Sequence, residues 1–409
     1  MMLFPAFKSL ATLLIILLAG VLVYLIIEMV KHRAALKRIP IRIHVNGTRG
    51  KSSVTRLIAA GLRAGGIRTF AKTTGSAARY IHTDGTEEPV VRRSAPNIRE
   101  QTGIVKQAAN EEAEALVIEC MAIRPDLQRV SEKRIVHSTI GVITNVRPDH
   151  LEVMGPHLGD VARALSGTIP RSGKLFTTHS GFDDFFGRVA KRRGSTLHLI
   201  DERREPTAEE MQGFGYVEIP QNVALALDVC TEVGVDRATA LDGMYRVTPD
   251  VGATTLLHLN RGEKKVLFAN AFAANDPQST AFLWRLLGMD APTESRFIDA
   301  GEGEVEAGVL ISNRADRMRR AVDLAEIFEK QIHPSWYLVA GEQATAFVDL
   351  AARMKVPREK LIHVGNQRPE AVLEKLFELT KKQTMVLGIG NIGGFGMQFI
   401  QLLEKEGKS

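Results

Sequence analysis

The sequence predicts an α/β protein in three parts: an N-terminal transmembrane helix, a P-loop domain built on a parallel sheet, and a Rossmann-like C-terminal domain. Three observations carry that expectation. Residues 10–30 (LATLLIILLAGVLVYLIIEMV) are apolar with a single charge, Glu28, near the end. Residues 40–55 (PIRIHVNGTRGKSSVT) read as a β-branched strand, a glycine turn, and Lys-Ser opening a helix. Downstream, short apolar strands alternate with helical stretches, the pattern of βαβ units and a doubly wound sheet.

The apolar run is long enough to span about 30 Å as a helix, the thickness of a bilayer core. A cleaved signal peptide is the rival reading, but its apolar region is shorter, and no small-residue cleavage site with a polar continuation follows here. Lys31, Arg33, Lys37, Arg38 and Arg42 come next with no acid among them, against Lys8 alone before the run. The positive-inside rule then predicts a single-pass protein of the cell membrane with the bulk of the chain in the cytoplasm. Those five cations supply most of the net charge of +6 and the pI of 9.3. The rest of the chain is near neutral, so the basic balance does not indicate a nucleic-acid partner. Cys120 and Cys230 sit in apolar segments without metal-ligand spacing, as buried thiols of a reducing compartment do.

The 409 residues suit two or three domains. The expected division is an anchor with its basic segment at 1–38, an ATP-binding domain at 39–262 and a substrate domain at 263–409.

In the glycine turn, backbone N–H groups of residues 47–51 can cradle phosphate oxygens at a helix N-terminus. Lys51 would neutralise the β- and γ-phosphates, and the Ser52 hydroxyl would reach Mg²⁺. The expected nucleotide loop is Asn46, Gly47, Thr48, Arg49, Gly50, Lys51, Ser52 and Ser53. A plain surface glycine turn is the bland alternative. The usual P-loop spacing would place a glycine at 45, where this chain has Val45, so the loop is of a shorter form.

Residues 67–72 read as a second strand ending at Thr73 and Thr74, and residues 115–121 (ALVIECM) as a buried parallel one. Glu119 inside that apolar run needs a cation or a paired arginine, since an unpaired buried carboxylate is costly. We expect it to be a Mg²⁺ ligand. The strand at 139–144 leads into NVRPDHLEVMG, which puts Asn145, Asp149 and His150 at the same sheet edge, the place for ligands in such folds.

Toward the C-terminus, strands are expected at 264–268, 308–313, 336–341 and 384–390. Gly388, Gly390 and Gly393 form G-x-G-x-x-G, yet no further strand and no acidic ribose ligand follow, so a glycine loop admitting close backbone approach is the better reading. Arg314 and Arg317, near Asp316, follow an apolar strand; surface charge is the plain reading, and binding of substrate carboxylates the functional one.

These motifs, in this order, resemble the Mur ligase superfamily: G-T-R-G-K-S, a strand-terminal Glu in I-E-C, N-V-R-P-D-H-L-E, and N-V-A-L-A from Asn222. Longer blocks tighten the resemblance to poly-γ-glutamate synthases of the PgsB/CapB type: R-I-H-V-N-G-T-R-G-K-S-S-V-T-R, K-T-T-G, A-P-N-I-R-E-Q, D-H-L-E-V-M-G-P, N-A-F-A-A-N-D-P-Q-S-T and N-R-A-D-R. The resemblance covers essentially the whole chain. It implies Lys51, Glu119 and His150 as catalytic residues, Ser52, Glu119 and His150 as metal ligands, and Asn222 as an adenine contact. Thr74, Asn275, Arg314, Asp316 and Arg317 become the expected substrate contacts. It further implies ATP with Mg²⁺ or Mn²⁺, glutamate and a poly-γ-glutamate chain as substrates, and other membrane subunits of a synthesis and export complex. The activity implied is an amide ligation through an acyl phosphate, releasing ADP and phosphate. The alternative is a membrane-anchored P-loop ATPase that energises a transport complex.

Three departures accompany the resemblance, the first being a junction that reads F-A-A-N-D-P, with Asn275 in it, where the superfamily has D-x-A-H-N-P. Many Mur-type enzymes hold a second metal with a carbamylated lysine about fifteen residues after D-H, and Leu165 stands there. No room remains for a UDP-binding domain between the apolar run and the P-loop.

Overall fold

A computed structural model of the chain describes residues 3–74, 78–92, 95–249, 253–273, 277–298, 304–314 and 318–406. They form two compact units, Met1–Phe214 with Ile219–Asp250, and Gly215–Glu218 with Val251–Ser409.

The first unit carries β1 (Ile41–Asn46), β2 (Thr69–Lys72), β3 (Arg79–Ile81), β4 (Glu87–Pro89), β5 (Ala115–Glu119), β6 (Ile140–Ile143), β7 (Lys174–Thr178) and β8 (Thr196–Ile200). Their order is β4-β3-β2-β5-β1-β6-β7-β8. The run from β2 to β8 is parallel, and β3 and β4 form an antiparallel edge. β1 and β5 are apolar and buried because helices cover both faces of a parallel sheet. From β1 the chain leaves toward β2, and from β6 toward β7, in opposite directions. That reversal opens a crevice at the C-terminal ends of β1 and β6, the position where this class of sheet takes its ligands.

Helix α1 (Leu3–Arg38) is the one helix among the described residues long and apolar enough to cross a membrane. Its apolar stretch from residue 12 to 30 is exposed throughout, but its last turns are not. Ala35, Leu36 and the following Ile39 are buried with Phe70, Leu116 and the apolar face of α3 (Glu100–Asn110). The end of the expected anchor is therefore part of the core of the first unit. Helix α2 (Lys51–Ala64) follows the P-loop and buries Val54, Leu57, Ile58 and Leu62.

The second unit holds β9 (Thr255–Arg261), β10 (Lys264–Asn270), β11 (Val305–Asn313), β12 (Trp336–Gly341), β13 (Leu361–Gly365) and β14 (Gln383–Gly390), ordered β13-β12-β11-β14-β10-β9. All pairs are parallel except the β9–β10 hairpin. The expected start at 263 falls inside that hairpin, whose turn uses Gly262 at φ 60. Helices on both faces enclose two apolar clusters, one around Trp284, Phe328 and Phe347, the other around Phe268, Phe272 and Phe399. This is a Rossmann-like layer arrangement.

Candidate active site

The turn between β1 and α2 is shaped by two glycines that no other residue replaces. Gly47 has φ 135, and a Cβ there would lie 2.0 Å from Thr144 Oγ1. Gly50 has φ 79, and its Cβ would lie 2.7 Å from Asn222 Oδ1. Gly50 is also the N-cap of α2 and brings no side chain to the first-turn N–H groups, which leaves them for an anion. Lys51 folds back over the loop, its Nζ donating to the carbonyls of Gly47 at 2.8 Å and Thr48 at 3.1 Å.

The neighbouring strands complete the crevice. β5 pairs with β1 so that Glu119 stands beside Val45, one residue before the loop. Glu119 is only 2% exposed, and one of its oxygens accepts from Ser52 Oγ at 2.9 Å and from the Thr74 N–H at 2.6 Å. That single carboxylate gathers three expected site residues, one each from β5, α2 and the segment after β2.

On the other side, the segment after β6 grips the loop. Asn145 Oδ1 accepts from Thr48 Oγ1 at 2.6 Å and from the Arg49 N–H at 3.2 Å, and its Nδ2 donates to the Arg49 carbonyl at 3.0 Å. Thr144 Oγ1 donates to the same carbonyl at 2.5 Å. The Arg147 N–H donates to Thr48 Oγ1 at 3.0 Å. Asn46 holds the loop from below: its Oδ1 accepts the Gly47 N–H at 2.9 Å and its Nδ2 donates to Gln128 and Thr168. Asn222, on the helix Pro220–Glu232, is buried against Gly50.

His150 lies further out, at φ 46 and with its side chain 44% exposed, beside Asp149 and Glu152. Asp149 in turn lies 3.8 Å from the Arg49 guanidinium. Among the described residues no three His, Cys, Asp or Glu side chains are placed to hold a metal by themselves. The Ser52 hydroxyl and the Glu119 carboxylate do fit a hard cation that takes most of its oxygens from a nucleotide and water. Leu165 is buried among Ile143, Val161, Ile169 and Phe186, an environment without ligands.

One site-lining residue, Lys72, carries a sequence signal that did not enter the expected site. Lys72 ends β2 fully buried, its Nζ 3.1 Å from Glu100, which Arg92 also pairs. Burial pushes the Lys72 ammonium down, and Glu100 partly offsets this. A lysine in an apolar strand is the same signal that pointed to Glu119. Asn145 is visible as a polar strand end, but not its grip on Thr48.

In the second unit, β11 ends at Ser312 and Asn313 beside the loop after β14. Gly390, at φ 103, would set a Cβ 2.3 Å from the Ser312 carbonyl, and one on Gly393 would meet Arg314 Nη1 at 2.6 Å. The glycine loop thus admits a backbone and a guanidinium at close range. Asn275, Asp316 and Arg317 lie outside the described residues.

This geometry agrees with what the chain is similar to. Residues 45–165 match the Mur ligase middle domain, and residues 256–406 the poly-gamma-glutamate synthase CapB C-terminal domain. The capsule biosynthesis protein CapB of Bacillus anthracis is 35% identical over 388 residues, spanning 94% of this chain and 81% of that protein. The PGA synthase CapB of Bacillus subtilis strain 168 is 35% identical over 396 residues, spanning 96% and 98%. This chain belongs to the CapB family of poly-γ-glutamate synthases. Its fold recurs in solved ligases of low sequence identity. A folylpolyglutamate synthase of Thermotoga maritima superposes with TM-score 0.60 at 15% identity, covering 93% of this chain and 95% of that one. A bifunctional folylpolyglutamate synthase/dihydrofolate synthase of Yersinia pestis, solved with AMPPNP and a manganese ion, gives 0.62 at 14%, covering 91% and 92%.

Proposed function

We propose that this CapB-family chain is an ATP-dependent amide ligase that extends poly-γ-glutamate. The observation that carries the reading is the buried Glu119 carboxylate joined to Ser52 of the P-loop, in a chain of which 96% aligns with a poly-γ-glutamate synthase.

ATP lies with its β- and γ-phosphates at the N-terminus of α2, on the first-turn N–H groups that Gly50 leaves uncapped, since the N–H groups of Gly47, Thr48 and Arg49 already bond to Asn46 and Asn145. Lys51 then exchanges its loop carbonyls for phosphate oxygens, which removes charge that would repel an incoming carboxylate. Ser52 and Glu119 would hold a divalent cation, Mg²⁺ in our reading, with His150 as the further ligand that the resemblance implies, and such an ion would supply charge neutralisation at the phosphates. A glutamyl γ-carboxylate oxygen attacks the γ-phosphorus, the bond to the β–γ bridging oxygen breaks, and ADP departs. The amine of a second glutamyl unit then attacks the acyl-phosphate carbon. Phosphate leaves with its bonding pair, the nitrogen loses a proton, and the γ-amide remains. The work of the chain is positioning and charge neutralisation, as in other phosphoryl transfers. Asn222 contacts the adenine, while Thr74 and, in the second unit, Asn275, Arg314, Asp316 and Arg317 hold glutamyl groups. The helix α1 keeps both units at the cytoplasmic face, where other membrane subunits receive the polymer.

Detergent-solubilised full-length protein is expected to release ADP only when glutamate is present, and to yield a γ-amide product by mass spectrometry. Lys51→Ala should lower that turnover by at least a hundredfold while leaving the circular dichroism spectrum unchanged. ATP turnover of equal rate without glutamate, and no amide, would instead identify an ATPase serving a transport complex.

A further inference from the structure

A basic face begins where the apolar part of α1 ends. Past Val30 the helix exposes Arg33 and Lys37, while His32 turns inward, its Nε2 lying 2.8 Å from the Ile135 carbonyl. That contact fixes the turn Ser131–Val136 at the height of residue 32. The turn exposes Lys133 and Arg134 and directs Glu132 inward to His44. Beyond it, His137 lies within electrostatic reach of Arg33 and Arg42, and Arg193 within reach of Arg129, Arg171 and Arg192. Burial lowers the proton affinity of both His137 and Arg193, Glu132 offsets part of this, and the neighbouring cations lower it further. The acid these groups share, Glu132, is buried. That one acid faces the surface charge of Arg33, Lys37, Arg129, Lys133 and Arg134 from inside the fold, and such an excess of cations on one surface is favourable where anions cover it.

We propose that this face rests on the bilayer and binds anionic lipid headgroups, so that the first unit is held to the membrane both by α1 and by residues 129–137. The inference rests on α1 being a membrane anchor. A helix rises about 1.5 Å per residue, so position 32 stands within a few ångströms of the hydrocarbon edge if the span ends at 30. Lys133 and Arg134, tied to that height, meet the headgroup layer, where cations are drawn to an anionic leaflet. The polyanionic product could engage the same charges, but nothing ties the polymer to this height, whereas α1 leads directly into the lipid.

The test uses the full chain in nanodiscs of phosphatidylcholine alone or with about 30% phosphatidylglycerol, a composition that gives a strongly negative surface. Amide hydrogen exchange across residues 129–137 should slow several-fold in the anionic discs. The slowing should vanish in about 0.5 M salt, where the Debye length shrinks to a few ångströms. It should also vanish in the double variant Lys133→Glu, Arg134→Glu, whose undiminished ATP turnover reports correct folding. Equal exchange in the two discs overturns the proposal. So does slowing that appears in phosphatidylcholine discs only when poly-γ-glutamate is added, which would make the face a polymer track. Release of the chain from membranes by alkaline carbonate would overturn the anchor and this proposal together, whereas retention with equal exchange overturns this proposal alone.

Discussion

Asn145 shows how one amide can hold a phosphate loop that it does not belong to. Its Oδ1 and Nδ2 make three hydrogen bonds to Thr48 and Arg49, all within 3.2 Å. Removing them leaves the chain folded, because β6 ends at Ile143 and its ladder is untouched. What suffers is the fixed orientation of the N–H groups that meet phosphate. At about 1 kcal/mol per lost hydrogen bond, Asn145→Ala should raise the KM for ATP roughly ten- to a hundredfold. The kcat should fall less, and steady-state kinetics separate the two. Asn145→Asp keeps the acceptor for Thr48 but sets a carboxylate against the Arg49 carbonyl, so it should rescue little. Equal KM values in wild type and Asn145→Ala would remove the loop-holding role. Gly50→Ala probes the same loop from the other side. Its Cβ would strike Asn222 at 2.7 Å and sit on a φ of 79. ATP binding, read by calorimetry, should be lost, and Asn222→Ala should restore it only in part, since it relieves the contact but not the backbone strain and also removes the proposed adenine contact. Much of this site is legible in the sequence because its residues advertise a conflict. Glu119 is a carboxylate in an apolar strand, and Lys51-Ser52 opens a helix after two glycines. The grip of Asn145 on Thr48 spans ninety-seven positions, and no local pattern encodes such a distance.

Elements were legible where burial on both faces forces a continuous apolar run, as in β5, β11 and β14. Strands at the sheet margins lack that signal: β8 buries only Ile200, and β4 (Glu-Glu-Pro) has no apolar pattern at all. The tail of α1 was read as anchor and juxtamembrane charge because Lys37 and Arg38 dominate it, while Ala35, Leu36 and Ile39 pack inward. That packing makes an asymmetric prediction about truncation. Deleting residues 2–30 removes the exposed stretch 12–30 and keeps the His32 contact to Ile135. Deleting residues 2–38 uncovers Phe70, Ile104 and Ala108. Loss of Leu36 and Ala35 from that cluster corresponds to about 2–4 kcal/mol of apolar burial. The longer deletion should therefore melt roughly 5–10 °C lower than the shorter one, or fail to fold. Equal melting temperatures would show that the helix end contributes nothing to the core.

At the scale of the whole molecule, stability should depend on pH differently in the two units. Behind the P-loop, His44 Nδ1 lies 2.8 Å from Glu132 Oε2, and Glu132 also accepts from Ser138 N–H and Oγ, each at 2.9 Å. Burial disfavours the charged ring, but the Cys120 thiol and the Glu132 carboxylate outweigh it and raise His44 to about 9 from an ordinary value of 6.5. The folded state therefore keeps a proton that the unfolded chain releases near 6.5. The pair's contribution is full below that pH and is lost as pH rises through about 9. Calorimetry should find the first unit's transition falling by roughly 5 °C between about pH 7 and 9.5. In Glu132→Gln the transition should start lower and fall less over the same interval, because the part of the raised proton affinity that comes from Glu132 is gone and only that from Cys120 is left. Both tryptophans, Trp284 and Trp336, belong to the second unit, so their fluorescence follows a unit without this pair and serves as the internal control. Parallel shifts of wild type and Glu132→Gln would mean that His44 is neutral in the folded protein. The buried Glu132 charge would then be balanced by its Ser138 hydrogen bonds and by the nearby guanidinium groups of Arg42 and Arg193.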